Sequence, residues 1–224
     1  MKKVGILGGM GPEATILLMQ KLIEGVSASD DSEHIPLIVH QNTQVPSRIK
    51  ALLDGCGPDP ASVLEHMAIE LENMGCDILA MPCNTAHHYH SQLSESVKIP
   101  VINMISLSCK ALIKKKKTKV GILASPVIKK VGIFDQYLVE YGLQAMFSEN
   151  DNCMLEIITK IKEGTIDNPL IETFTAEVEK IVERGCDSLL IACTELSLLS
   201  HEMHNIDFVD SIDCLSDEII RLAS

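Results

Sequence analysis

Short apolar runs alternate along the chain with longer segments in which apolar residues recur every three or four positions. The short runs are rich in β-branched residues and predict buried strands, whereas the longer segments predict amphipathic helices. This alternation is typical of a parallel α/β protein, because neighbouring parallel strands need a crossover connection. The predicted strands are residues 3–7, 36–40, 77–81, 101–103, 119–124, 144–147, 187–192 and 206–209. The clearest predicted helices are residues 61–74 and 170–183.

Part of the sequence pattern occurs twice. KVGIL at 3–7 returns at 119–123, and GCDILAMPCNT at 75–85 aligns without a gap on GCDSLLIACTE at 185–195. Such a repeat indicates two related structural halves. We therefore expect two similar α/β domains with parallel sheets, residues 1–105 with 210–224 and residues 106–209, related by a pseudo-two-fold axis. An active-site cleft is expected between them.

Charge and composition argue against several classes of partner. The 224 residues include 31 acidic and 19 basic side chains, for a formal net charge of -12, and no tryptophan. This charge repels phosphate backbones and anionic lipids, so we expect no nucleic-acid and no membrane partner. No apolar run approaches the ~20 residues that span a bilayer, and the N-terminus leads directly into a strand. We expect no signal peptide and a cytoplasmic protein.

The eight cysteines are scattered without a C-x-x-C pair, which favours reduced thiols in a cytoplasmic protein. The first cysteine of each repeat precedes a strand and is expected to pack in the core. Cys83 and Cys193 instead follow strands, at the carboxyl ends where ligands bind in parallel sheets. Asn84–Thr85 and Thr194–Glu195 come next. These residue types begin helices by accepting hydrogen bonds from free backbone N–H groups, so we expect each cysteine beside a capped helix N-terminus, whose positive end favours a thiolate.

Two thiols on opposite walls of a cleft can face a small substrate from both sides. This arrangement suits racemisation at a carbon beside a carboxylate. One thiolate would remove the α-proton while a thiol on the other face returns a proton. The pair must therefore start in opposite protonation states.

Five motifs together resemble the aspartate/glutamate racemase family, and the resemblance covers essentially the whole chain. They are GGMGPEAT at 8–15, NTQVPSR at 42–48, MPCNTAH at 81–87, IPVINMI at 99–105 and ACTEL at 192–196. The resemblance, closest to aspartate racemase, implies a cofactor-independent isomerase that interconverts L- and D-aspartate, with glutamate as a further substrate. It implies Cys83 and Cys193 as the catalytic acid and base, and Arg48 and Lys162 as ligands of a small dicarboxylic amino acid. It also implies a homodimer.

Further substrate-binding residues are expected around these. The glycine loop after the first strand begins a helix, an arrangement that binds carboxylates, and it lacks the spacing of nucleotide-binding loops. Met10 in this loop is expected to touch the substrate. Asn84 and Thr85 can donate hydrogen bonds to the α-carboxylate as charge develops, and Thr194 occupies the position of Asn84 in the second repeat. Ser125 stands where the family usually has a threonine beside the substrate.

Metal and cofactor chemistry is not expected. Cys83, His87, His88 and His90 lie close in sequence, but no second compact ligand pair completes a tetrahedral set, so we expect no metal. No feature identifies the Schiff-base lysine or the phosphate site that pyridoxal phosphate requires.

Other functions remain open at this point. Within the superfamily they are a racemase of broader amino-acid range, a hydantoin racemase, or an isomerase or decarboxylase that acts on maleate or arylmalonates. Arg48 and Lys162 favour a substrate with an acidic side chain and disfavour hydantoins. Outside enzymes, the alternatives are a small-ligand binding protein with the same cleft and a thiol redox sensor. A binding protein has no need for paired cysteines, and a redox sensor needs one reactive thiol with a resolving partner.

Overall fold

The structure, a computed structural model, describes residues 1–53, 55, 57–203 and 206–223. These residues form two parallel β-sheets, one in each of two units of the chain. The first unit comprises Met1–Met104 and Ile212–Ser224, and the second comprises Ile105–Ser211. The predicted fold class, α/β with two parallel sheets, is confirmed.

The sheet of the first unit has β1 (Val4–Gly8) at its centre, paired in parallel with β2 (Leu37–Gln41) and β3 (Ile78–Ala80). The strand predicted at 101–103 is reduced to a single parallel bridge between Val101 and Leu79. Two backbone hydrogen bonds on either side of Leu79 hold this bridge, and the chain then enters a helix at residue 104. The segment is therefore too short to form a strand of its own.

The sheet of the second unit contains β4 (Lys119–Leu123), β5 (Gln144–Phe147), β6 (Ser188–Ile191) and β7 (Phe208–Asp210). Its strand order is β5-β4-β6-β7, and the first three of these strands correspond to the order β2-β1-β3 of the first sheet. The strand predicted at 206–209 lies at 208–210, so its start was placed two residues too early. The edge strand at 144–147 lies where the sequence predicted it.

Helices connect these strands and cover the sheets. They are α1 (Pro12–Gly25), α2 (Arg48–Leu53), α3 (Ala61–Asn73), α4 (His90–Ser96), α5 (Met104–Lys114), α6 (Pro126–Val131), α7 (Asp135–Tyr141), α8 (Asp151–Lys162), α9 (Asn168–Glu183) and α10 (Ser211–Ala223). Helix α9 begins two residues before the predicted 170, because Asp167 accepts a hydrogen bond from the Leu170 N–H and caps the first turn. Within the described ranges, no helix has both the length and the hydropathy needed to cross a membrane.

A glycine at the centre of each KVGIL strand contacts the first cysteine of the corresponding repeat. A Cβ built on Gly5 would lie 3.0 Å from the Cys76 Sγ, and one on Gly121 would lie 3.3 Å from the Cys186 Sγ. Each strand therefore needs glycine to make room for the helix and sheet packed against it. Burial raises the pKa of both thiols, which keeps them protonated and unreactive. Cys76 lies in the core as expected, and Cys186 is partly buried and packs against the core of its own unit.

Candidate active site

Cys83 and Cys193 lie just beyond the carboxyl ends of equivalent strands. Cys83 follows β3 in the first unit, and Cys193 follows β6 in the second. Each cysteine is 7% exposed. The sequence repeat therefore corresponds to a structural repeat, which gives each sheet one nearly buried thiol at the edge where parallel sheets bind ligands.

The helical turn after each cysteine differs from the one expected. Cys83 leads into a 3₁₀ helix at Thr85–Tyr89, which continues into α4, and Cys193 leads into a 3₁₀ helix at Leu196–Glu202. Neither turn has a side-chain cap, because the residues at the cap positions, Asn84 and Glu195, already have helical φ and ψ. A capping side chain needs an extended backbone to reach the free N–H groups. The expectation of capped α-helix termini was therefore wrong.

His87 holds the turn that carries Cys83. Its Nε2 accepts a hydrogen bond from the backbone N–H of Met104 at 3.1 Å, so the proton of the neutral ring is on Nδ1. Nδ1 then donates to the Cys83 carbonyl oxygen at 2.8 Å. Burial lowers the pKa of His87 to about 4, so the ring is neutral at physiological pH. His87 thus connects the Cys83 turn to the start of α5.

Ser197 makes the corresponding connection in the second unit. It lies four residues after Cys193, as His87 lies four residues after Cys83. Its hydroxyl donates to Asp210 Oδ1 at 2.9 Å, and both side chains are buried. Sequence reasoning missed Ser197 and Asp210, although extending the ungapped repeat of 75–85 and 185–195 by two residues aligns Ser197 with His87.

The histidines near Cys83 have contacts that do not suit a metal ion. The rings of His87 and His90 stack with centroids 5.7 Å apart and an interplanar angle of 10°. The His90 Nε2 lies 3.0 Å from the Val101 carbonyl oxygen. In the part of the chain that the structure describes, no group of three histidine, cysteine or acidic side chains is arranged to hold a metal.

A buried carboxylate contacts Cys193. The Cys193 Sγ lies 3.1 Å from Glu195 Oε2, and Glu195 Oε1 lies 3.2 Å from the Lys162 Nζ. Glu195 is 6% exposed, whereas the Lys162 side chain, at the end of α8, is 39% exposed. Lys162 was expected to hold a substrate carboxylate, and the structure pairs it with Glu195. Sequence reasoning treated Glu195 only as a residue that begins a helix.

Arg48 begins α2 in the loop that follows β2. Its Nη1 donates to the carbonyl oxygens of Val45 at 3.2 Å and Pro46 at 2.9 Å, which fixes one arm of the guanidinium. Its positive charge also acts on Tyr89, whose pKa is nevertheless raised, mainly by burial and then by the carboxylate of Asp59. The loop thus presents a cation at the same sheet edge as Cys83.

The glycine loop that contains Met10 packs tightly against the loop after β2. A Cβ on Gly9, whose φ is +90°, would collide with the backbone of Asn42. Met10 is 3% exposed and packs in the same hydrophobic cluster as Cys83. Ser125 is also 3% exposed and caps α6, because its Oγ accepts from the Val127 N–H at 3.4 Å.

A sequence model of the family described as Asp/Glu/Hydantoin racemase matches residues 7–219. The chain belongs to this family. The broad specificity amino-acid racemase RacX of Bacillus subtilis is 25% identical over 97% of this chain and 96% of that protein. Picrophilus torridus aspartate racemase is 28% identical with a TM-score of 0.87, over 100% of this chain and 94% of that chain. The glutamate racemase of Aquifex pyrophilus is 28% identical over 65% of this chain and 58% of its own length.

Family membership and these relatives make the protein an amino-acid racemase that works without pyridoxal phosphate, as the sequence predicted. In the first unit of this racemase, three expected site residues follow the ends of β1, β2 and β3 at one sheet edge: Met10, Arg48 and Cys83. Asn84 and Thr85 follow Cys83 directly, and Asn84 is 2% exposed.

The racemase carries a smaller set in its second unit. Ser125 and Cys193 follow the ends of β4 and β6. Lys162 reaches this group through its contact with Glu195. Thr194 follows Cys193 and is 2% exposed. Each unit therefore brings a thiol and a cation to the carboxyl edge of its own sheet.

Proposed function

We propose that this racemase interconverts L- and D-aspartate, with glutamate as a further substrate, with Cys83 and Cys193 as its two acid–base groups and no cofactor. The observation that carries the proposal is the structural repeat, which places one nearly buried thiol at the same point beyond equivalent strands in each unit. The 28% identity to an aspartate racemase over the whole chain supports aspartate as the substrate.

In the proposed reaction, one cysteine thiolate takes the α-proton and its Cα–H electron pair moves toward the α-carboxylate. The other cysteine, as a thiol, gives its proton to the opposite face of the α-carbon. The thiolate and thiol have then exchanged roles, and the amino acid has inverted with no net change in atoms or charge. Asn84, Thr85 and Thr194 are proposed to donate hydrogen bonds to the carboxylate as negative charge develops on it.

Substrate selection depends on local cations, because the protein as a whole is strongly acidic. We propose that Arg48 and Lys162 bind the two carboxylates, since fixed nearby charges are not diluted by distance and salt. Met10 and Ser125 are proposed to complete the walls of the site. Arg48 has one arm fixed by two carbonyl groups and keeps further N–H donors in a rigid fork.

A second candidate is a racemase of broader amino-acid range. The specific observation in its favour is the alignment with RacX, which covers 97% of this chain. The two candidates differ in whether the side-chain carboxylate is required. Comparing aspartate, glutamate and alanine as substrates separates them.

Three further features are proposed. The family resemblance implies a homodimer, the scattered unpaired cysteines favour a cytoplasmic protein, and the sequence repeat indicates two domains, residues 1–105 with 210–224 and residues 106–209. Light scattering at working concentration tests the first, and a monomer would contradict it.

The test of the reaction is to incubate the protein with L-aspartate in D₂O without added cofactor and to follow deuterium at Cα together with D-aspartate. Wild type is expected to form D-aspartate, and Cys83→Ala and Cys193→Ala are each expected to abolish racemisation. Cys153→Ala, which removes a partly buried thiol elsewhere, is the matched control and should stay active. Racemisation that survives in either of these two variants would exclude the two-thiol mechanism. A wild type that leaves aspartate and glutamate unchanged would exclude the substrate.

A further inference from the structure

The thiol of Cys193 lies beside a buried carboxylate, which affects how readily the thiol loses its proton. We propose that Glu195 is a positioning residue that keeps the proton on Cys193 in the ligand-free enzyme, so that Cys193 starts as the acid and Cys83 as the base. The inference rests on the proposed function for its catalytic meaning. Whether Cys193 carries a proton can nevertheless be measured without substrate.

The distance itself carries the argument. The Cys193 Sγ and Glu195 Oε2 are 3.1 Å apart, which is a hydrogen-bond contact for sulfur. A thiolate has no proton to donate, and a negative sulfur beside a negative oxygen repels strongly where water is excluded. The two side chains are 7% and 6% exposed. The contact is favourable when the sulfur is protonated, because the S–H group can then form a hydrogen bond with the carboxylate oxygen.

Lys162 supplies the counter-charge that this arrangement needs. Its Nζ lies 3.2 Å from Glu195 Oε1, so a positive charge balances this buried carboxylate, whose other oxygen is the acceptor in the contact with Cys193. The nearby Asp210 carboxylate accepts from the Ser197 hydroxyl. Among the contacts of the described residues, Glu195 touches this thiol, Lys162 touches Glu195, and Asp210 lies on the adjacent strand β7.

Cys83 has a different neighbour at the equivalent position. The ungapped repeat places Thr85, an uncharged residue, where the second repeat has Glu195. The nearby His87 is neutral, and it binds the Cys83 carbonyl oxygen. The repeat thus provides a proton-holding carboxylate for one cysteine and not for the other. A two-thiol racemase needs such an asymmetry, because its cysteines must begin in opposite protonation states.

The proposal is tested by alkylation with iodoacetamide, an uncharged reagent, followed by peptide mass spectrometry across a range of pH. In Glu195→Gln the negative charge is gone, so Cys193 should be alkylated faster at neutral pH, with its pH midpoint lowered by about one unit. In Lys162→Met the positive charge that lies 3.2 Å from Glu195 is gone, so a negative sulfur at Cys193 is less stabilised and the midpoint should move upward. Opposite shifts distinguish an electrostatic role from a steric one.

Two controls accompany the measurement. Cys83 in the same molecules should keep its midpoint in both variants. Glu163→Gln removes a charge from the exposed neighbour of Lys162 and should leave both thiols unchanged. An unchanged or raised Cys193 midpoint in Glu195→Gln, or a lowered one in Lys162→Met, would overturn the proposal. Lys162 is partly exposed, so its variant is expected to fold if Glu195→Gln does not. The alkylation measurement uses no substrate. A protein that fails to racemise aspartate would therefore contradict the proposed function without affecting the measured alkylation midpoints.

Discussion

The backbone N–H of Met104 donates to His87 Nε2, and this contact fixes the tautomer of a ring whose other nitrogen binds the Cys83 carbonyl oxygen. His87 is therefore a structural link between the Cys83 turn and α5. It does not need to gain or lose a proton in the reaction. Its burial also makes the stability of the first unit depend on pH.

We expect the free energy of unfolding to fall as the pH is lowered from 6.5 to about 4. In this interval the unfolded chain binds a proton at His87 and the native protein does not, so acid favours unfolding by roughly 3 kcal/mol in total. Urea titrations at several pH values measure this change. His87→Gln should show a weaker dependence on pH, whereas His88→Gln, at an exposed position, should behave as wild type. If the free energy of unfolding changes equally with pH in wild type, His87→Gln and His88→Gln, the prediction is wrong.

Alanine at either central glycine of the KVGIL strands should destabilise the fold. A Cβ on Gly121 would lie 2.5 Å from Leu189 Cδ2, and one on Gly5 would lie 2.7 Å from Leu79 Cδ2. Overpacking of this kind costs roughly 1–3 kcal/mol. Thermal or chemical unfolding of Gly5→Ala and Gly121→Ala measures the loss. Adding Cys76→Ala to Gly5→Ala should restore part of the lost free energy of unfolding. If the losses of the two single variants simply add in the double variant, Gly5 and Cys76 do not share a contact.

Ser197→Ala should reduce both stability and turnover. The variant removes a hydroxyl that donates to the buried Asp210 carboxylate, which costs about 1–2 kcal/mol of unfolding free energy. Because the same hydroxyl ties down the turn after Cys193, we expect kcat for aspartate to fall while KM changes little. Steady-state kinetics with both enantiomers provide the measurement. A variant with reduced stability and full kcat would show that the link does not position the cysteine.

Arg48→Lys should weaken aspartate binding, on the proposal that Arg48 binds a substrate carboxylate. Lysine keeps the charge but cannot bind the Val45 and Pro46 carbonyl oxygens and a carboxylate with one planar fork. We expect KM for aspartate to rise on the order of tenfold, equivalent to about 1.4 kcal/mol. Lys50→Arg, on the same helix, is the matched control. An unaltered KM in Arg48→Lys would remove Arg48 from the substrate site.

The sequence predicted the sheets well because buried parallel strands leave a local signature, an apolar run such as KVGIL flanked by helical spacing. It also predicted where Cys83 and Cys193 lie, since the repeat placed both just after strands. It did not predict the 3₁₀ turns, because Asn84 and Thr194 are residue types that favour caps, and only backbone torsion angles show that the residues at the cap positions, Asn84 and Glu195, are already helical. The contact between Lys162 and Glu195 joins residues 33 positions apart, a separation that no local pattern reports.

The difference between Thr85 and Glu195 has a kinetic consequence for the proposed reaction. Mirror-image amino acids have equal free energies in water, so kcat/KM must be the same in both directions whatever the enzyme does. The carboxylate at one cysteine alone therefore cannot favour one enantiomer as the product at equilibrium. It can only give the L and D forms different KM values, and kcat must then differ between them by the same factor. A duplicated scaffold whose two halves differ at this position would thus have different KM values for the two enantiomers, while the equilibrium stays racemic.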